Sequence, residues 1–100
     1  IVENFYAKGY TILFFSGRKD DYKKPTIKFL EKAFNNRIDY QLHMRKSVDN
    51  RKDSILKEEM FQEVVKDKFY IEFVLDDRNQ VVDMWREMGL TCLQVNYGDF

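Results

Sequence analysis

Apolar and polar positions change period along the chain in a regular order. Val2–Lys8 reads as the tail of a helix closed by Gly9. Tyr10–Phe15, YTILFF, is a run of β-formers and predicts a strand that ends at Ser16-Gly17-Arg18. Lys19–Lys24 follows as a charged loop, and Pro25 suits the first turn of a helix. Ile27, Leu30, Ala33 and Phe34 keep helical spacing until Asn35-Asn36 stop the run. From Ile38 to Met44 the period becomes two, with Ile38, Tyr40, Leu42 and Met44 alternating against Asp39, Gln41 and His43. A polar loop, Arg45–Asn50, offers Asp49 or Asn50 as a cap for a helix over Lys52–Lys66. That helix has Leu56, Met60, Phe61 and Val64 on one side. Phe69–Leu75 reads as a buried strand that ends abruptly on Asp76-Asp77-Arg78. Val81, Val82, Trp85 and Met88 make Asn79–Met88 a helix, Gly89 stops it, and Thr91–Val95 is a last strand.

Helices and strands alternate throughout, which implies parallel strands joined by crossovers and covered on both faces, an α/β three-layer sandwich. Residues 1–100 are expected to form a single domain with a modest core. An apolar fraction of 44% and an aromatic fraction of 16% exclude disorder. Charge is balanced, 17 basic against 17 acidic residues, so no general attraction to nucleic acid is written into the totals. A local basic patch around Arg37, Arg45, Lys46, Arg51 and Lys52 stays open. The lone cysteine, Cys92, excludes an internal disulfide and a cysteine-rich zinc site, and its apolar neighbours predict a buried inert thiol. A reducing, cytoplasmic setting and no membrane association are expected, since no apolar run is long enough to span a bilayer.

Candidate chemistry gathers where strands end. Ser16 brings a hydroxyl and nearby backbone N–H groups that suit a phosphate oxygen, and Arg18 adds a permanently charged bidentate donor. Lys52 stands at a helix start, where its ammonium and the positive helix end both favour an anion. Adjacent carboxylates at Asp76 and Asp77 repel each other unless a cation or a shared proton relieves them. They are candidates for a divalent metal or for acid–base work. Each signal has an ordinary reading too: a common turn at Ser16-Gly17-Arg18, a solvated surface lysine at Lys52, a helix cap at Asp76-Asp77. His43, on the polar side of its strand, is expected to be surface-exposed.

Taken together, the stretches GYTILFFSGR, DNRKDSILKEEMF and FVLDDRNQVVDMWREMGLTCLQVNYGDF resemble motifs of the haloacid dehalogenase superfamily of phosphotransferases. Within it they are most similar to the phosphatase domain of bacteriophage-type polynucleotide kinase–phosphatase. The resemblance implies removal of a 3′-phosphate from a polynucleotide or nucleotide substrate, with Mg2+ as cofactor. It implies that Ser16 and Lys52 bind the transferring phosphoryl group and that Arg18 clamps it. Asp77 becomes the direct metal ligand, with Asp76 supporting the metal shell or Lys52. Gly17, Asp49 and Arg78 become substrate-binding positions. These segments are expected to converge at one edge of the sheet.

One departure matters. The family's nucleophile and general acid lie in an Asp-x-Asp-Gly-Thr motif at the end of a first, central strand, and no such motif occurs in these hundred residues. Asp20-Asp21 and Asp76-Asp77 have neither its spacing nor its Gly-Thr. The chain is therefore expected to be inactive alone and to work with a missing amino-terminal segment of the same protein. Without that strand its neighbours could close up, or another chain could insert a strand, but upstream sequence is the favoured source. Two other readings stand beside this one: a small-molecule phosphatase of the same superfamily, and a non-catalytic α/β binding module. A nucleic-acid-binding domain without catalysis is disfavoured by the neutral charge and by the scarcity of aromatics in the basic loop. Substrate length, base preference, oligomeric state and the presence of a kinase domain are left open.

Overall fold

Parallel pairing between strands far apart in sequence organises the chain. The structure, a computed structural model, describes all of residues Ile1–Phe100. Two compact units divide it, Ile1–Asn50 and Arg51–Phe100.

In the first unit, α1 (Val2–Ala7) is followed by β1 (Leu13–Lys19), a short 3₁₀ turn at Asp20–Tyr22, α2 (Lys23–Phe34) and β2 (Gln41–Arg45). Gly9 at φ 93° ends α1 and Asn35 at φ 50° ends α2, both left-handed stops that the residue types anticipated. β1 pairs parallel with β2, Leu13 opposite Gln41 through Ser16 opposite Met44, and the register then shifts to bring Lys19 opposite Arg45. Ser16, Gly17 and Arg18 therefore lie inside a strand, which corrects the expectation that the strand ends before them. The extension has a physical source: Arg45 Nε donates to the Gly17 carbonyl at 2.7 Å, so a side chain bonds the strand where the ladder is irregular. Few side chains are buried, namely Thr26, Leu30 and Ile38. Phe14 sits between Phe34, at 5.9 Å, and Tyr40, at 5.4 Å between ring centres.

The second unit contains α3 (Asp53–Met60), a π-helical turn at Phe61–Val65, β3 (Val74–Asp76), α4 (Asn79–Glu87) and β4 (Cys92–Gln94). Here α3 begins after Lys52, later than a cap at Asp49 or Asn50 would place it, and the α-helix gives way at Phe61. β3 is the larger correction. The apolar run from Phe69 predicts a seven-residue strand, yet only Val74–Asp76 pairs, in parallel register with Cys92–Gln94. A strand exists only as far as a neighbour accepts its hydrogen bonds, and β4 reaches no further. α4 and its stop at Gly89, φ 87°, match the predicted pattern. Leu56, Met60, Val65, Val81, Val82, Met84, Trp85 and Cys92 are buried together in this half. Each sheet has two strands, with β1 bonded to β2 and β3 to β4, so the closing up of β1 against β3 is not observed. No helix is long and apolar enough to cross a membrane.

Candidate active site

The polar residues singled out by the sequence fall into one cluster in each unit. In the first, the register shift turns the backbone at Ser16-Gly17-Arg18, and the Arg18 N–H donates to Ser16 Oγ at 3.1 Å. That bond occupies an acceptor of the hydroxyl and leaves its proton to donate. The Arg18 side chain is exposed, with its guanidinium 5.4 Å from the centre of the Tyr22 ring. Behind them, Arg45 joins the Gly17 carbonyl to Asp49: its Nη1 donates to the Asp49 carbonyl at 3.2 Å and lies 3.9 Å from the Asp49 carboxylate. Asp49 thus fixes an arginine that holds the Ser-Gly-Arg backbone. His43 also departs from expectation. It is half-buried, edge-on to Phe15 at 5.6 Å, and burial holds its imidazole below the usual pKa.

In the second cluster the central cation is Lys57. Its Nζ lies 3.3 Å from Asp53 Oδ2 and 3.4 Å from Asp76 Oδ2, and all three side chains are nearly enclosed. Helical geometry explains the first contact, because Asp53 and Lys57 are one turn apart on α3. Trp85, from α4, donates its indole N–H to the same Asp76 oxygen at 3.2 Å. The other Asp76 oxygen accepts the Asp77 N–H at 2.8 Å. Arg78 adds a second cation 3.5 Å from Asp53 Oδ2. Lys52, by contrast, is exposed at the helix N-cap, and the lysine that pairs with Asp76 is Lys57. Sequence reasoning preferred Lys52 for its place at a helix start. The available signal for Lys57 was its i,i+4 spacing from Asp53 on the side of α3 that carries Leu56 and Met60.

Both oxygens of Asp76 are engaged, so Asp77, exposed and next in the chain, is the carboxylate available to a metal. No group of three or more His, Cys, Asp or Glu side chains is placed to hold an ion. A cation held here would take Asp77 as its protein carboxylate and complete its shell from water or other oxygens. Cys92 is buried, and burial, with the nearby Asp76 carboxylate, pushes its thiol above the usual range against the opposing pull of Arg86. A thiol so held is a poor nucleophile.

Parallel two-stranded sheets, a Ser-Gly-Arg inside one strand and an Asp-Asp pair closing another define a haloacid dehalogenase-like α/β fold. The chain matches the profile of the polynucleotide kinase PNKP phosphatase domain over residues 1–100, and it belongs to that family. It is 39% identical over 79 residues to the "Putative bifunctional polynucleotide kinase/RNA ligase" of Autographa californica nuclear polyhedrosis virus, spanning 11% of that protein's length. Two solved structures are similar over 99% of the chain. "Structure of Pnkp1/Rnl/Hen1 complex" has 51% identity and a TM-score of 0.88, and "Structure of the Pnkp1/Rnl/Hen1 RNA repair complex" has 50% identity and a TM-score of 0.89. The chain corresponds to 34% and 32% of those chains, about a third of their length.

Proposed function

We propose that this chain is the phosphate-gripping and metal-binding portion of a magnesium-dependent polynucleotide 3′-phosphatase, acting in nucleic-acid end processing. The observation that carries this reading is Lys57, buried between Asp53 and Asp76 immediately before the exposed carboxylate of Asp77. A lysine ammonium has three N–H donors; here one is given to Asp76 and the charge is also paired with Asp53. A remaining N–H would meet an oxygen of the transferring phosphoryl group, the role that the resemblance gives to Lys52. Asp76 orients Lys57, and Asp77 would hold the metal. The family resemblance gives phosphoryl contacts to Ser16, whose hydroxyl is free to donate, and to Arg18, a bidentate cation. Bound Mg2+ would neutralise negative charge on those oxygens. The family resemblance assigns Gly17 and Arg78 to substrate, and Asp49 acts through Arg45.

The attacking carboxylate is not among these residues, so the chain alone is expected to release no phosphate. Its partner is the Asp-x-Asp-Gly-Thr segment of the same protein. The relatives' kinase, ligase and RNA-repair associations make a 3′-phosphorylated polynucleotide the favoured substrate over a free nucleotide. The test is phosphate release by the full-length protein from a 3′-phosphorylated oligonucleotide, with Mg2+ titrated calorimetrically. Asp77→Asn is expected to abolish turnover and weaken Mg2+ binding about 10–100-fold, the range in which disturbing a metal site falls. Unchanged Mg2+ affinity would remove Asp77 from the metal shell, and preference for a free nucleotide would point to a small-molecule phosphatase.

A further inference from the structure

The segment Tyr97–Phe100 does little that apolar burial would explain. Tyr97 is 75% exposed and Phe100 62% exposed, so neither contributes a core side chain. Between them Gly98 is buried, and it lies against the backbone of Asp77. A Cβ at Gly98 would stand 2.5 Å from the Asp77 carbonyl oxygen and 2.8 Å from a carbon of the Phe100 ring. No side chain fits there without displacing the loop that carries Asp77.

Polar bonds tie the same segment to the same loop. The Asn79 N–H donates to the Gly98 carbonyl at 2.7 Å, and the Gly98 N–H returns a bond to Asn79 Oδ1 at 3.1 Å. Gln94, on β4, donates its side-chain amide both to Asn79 Oδ1, at 2.6 Å, and to the Asp77 carbonyl, at 2.9 Å. Gln80 donates to the Phe100 carbonyl at 3.0 Å, and the Arg78 guanidinium lies 4.3 Å from the centre of the Phe100 ring. Every residue from Asp77 to Gln80 is thus bonded to, or packed on, this segment or its neighbour Gln94. β3 itself is only three residues long, with a ladder partner on one side, and cannot hold its loop alone.

We infer that Tyr97–Phe100 is a strap that positions the Asp77 carboxylate, with Gly98 and Asn79 as its positioning residues. This deepens the proposal above and rests on its assignment of Asp77 to the metal. Displacing the Asp77 backbone rotates the exposed carboxylate away from the geometry a small, strictly octahedral ion requires. The strap's bonds run to the Asp77–Gln80 loop, so its effect reaches the chemistry through Asp77.

The test compares wild-type full-length protein with Gly98→Ala, Asn79→Ala and Asn79→Asp, the last of which keeps an acceptor for Gly98 and Gln94. Three quantities are read: backbone amide exchange at Asp77–Gln80 without metal, Mg2+ affinity by calorimetry, and kcat and KM on a 3′-phosphorylated oligonucleotide. Gly98→Ala and Asn79→Ala are expected to speed exchange in this loop alone and to weaken Mg2+ about 10–100-fold. At saturating oligonucleotide, kcat should fall with the loss of Mg2+ and recover as Mg2+ is raised, as expected when the metal site is what has weakened. Asn79→Asp should restore both exchange and Mg2+ affinity. Wild-type exchange and Mg2+ affinity in Gly98→Ala would overturn the strap, as would equal loss of protection throughout the unit or failure of Asn79→Asp to rescue. Should Gly98→Ala not fold, the Asn79 pair decides. An inactive wild-type protein would defeat the phosphatase reading, while local exchange would still judge the strap.

Discussion

The two halves handle charge in opposite ways. Around Ser16 the functional groups are half-exposed or exposed, held from behind by Arg45 and backed by few buried side chains. Around Lys57 the charges are enclosed, each matched by an opposite partner, over a core in which Val81 and Val82 have almost no accessible surface. An exposed arginine keeps its hydration until a ligand replaces it, so its placement costs little stability. A buried lysine has lost its hydration in advance and depends on the carboxylates beside it. One half therefore presents adaptable donors, and the other a rigid, preorganised frame.

The sharpest way to break that contrast is Lys57→Met, which leaves Asp53 and Asp76 enclosed without their cation. A loss of about 3–5 kcal/mol is expected in urea unfolding, because buried Asp76 loses its cation and Asp53 keeps only Arg78. The matching Lys52→Met change should stay within about 0.5 kcal/mol, as surface substitutions do. Equal effects would show that the two lysines are not differently placed. Trp85→Phe comes next. It removes the indole donor to Asp76 while keeping most of the aromatic volume, and a loss of about 1.5–3 kcal/mol fits a hydrogen bond to a charged acceptor. Arg45→Lys should cost about 1–2 kcal/mol, since an ammonium cannot bond Gly17 and Asp49 together as the planar guanidinium does. A penalty as large as that of Lys57→Met would mean that the first half is as preorganised as the second.

The smallest effect concerns His43. Burial lowers its pKa in the folded state below 6.5, so the unfolded chain binds the proton more readily as pH falls. Stability attached to the neutral imidazole is complete above the unfolded pKa and is lost as pH drops toward the folded value. Melting temperatures at about pH 7.5 and about pH 5.5 should differ less in His43→Gln than in wild type. An unchanged difference would place the titration elsewhere.

How far the sequence could be read follows the range of each signal. Helix stops were legible at Gly9, Asn35 and Gly89 because a left-handed residue depends only on its own side chain. α4 was legible from the spacing of Val81, Val82 and Trp85. Strand lengths were not: Phe69–Phe73 has the composition of a strand, and Ser16–Lys19 the look of a turn, yet pairing decided the reverse. Neither outcome could be seen without knowing where β4 and β2 end. The Arg45–Asp49 pair was illegible for a similar reason, since Arg45 acts on a carbonyl 28 positions earlier.

By itself, then, the sequence determined the order of elements, their helical stops, and the family motifs that carry Ser16, Arg18, Asp76 and Asp77. Tertiary structure alone decided which lysine is buried against the carboxylates, which aspartate keeps a free face, and why position 98 has no room for a Cβ. Those choices depend on the loss of water and on contacts between residues distant along the chain. Local spacing encodes neither.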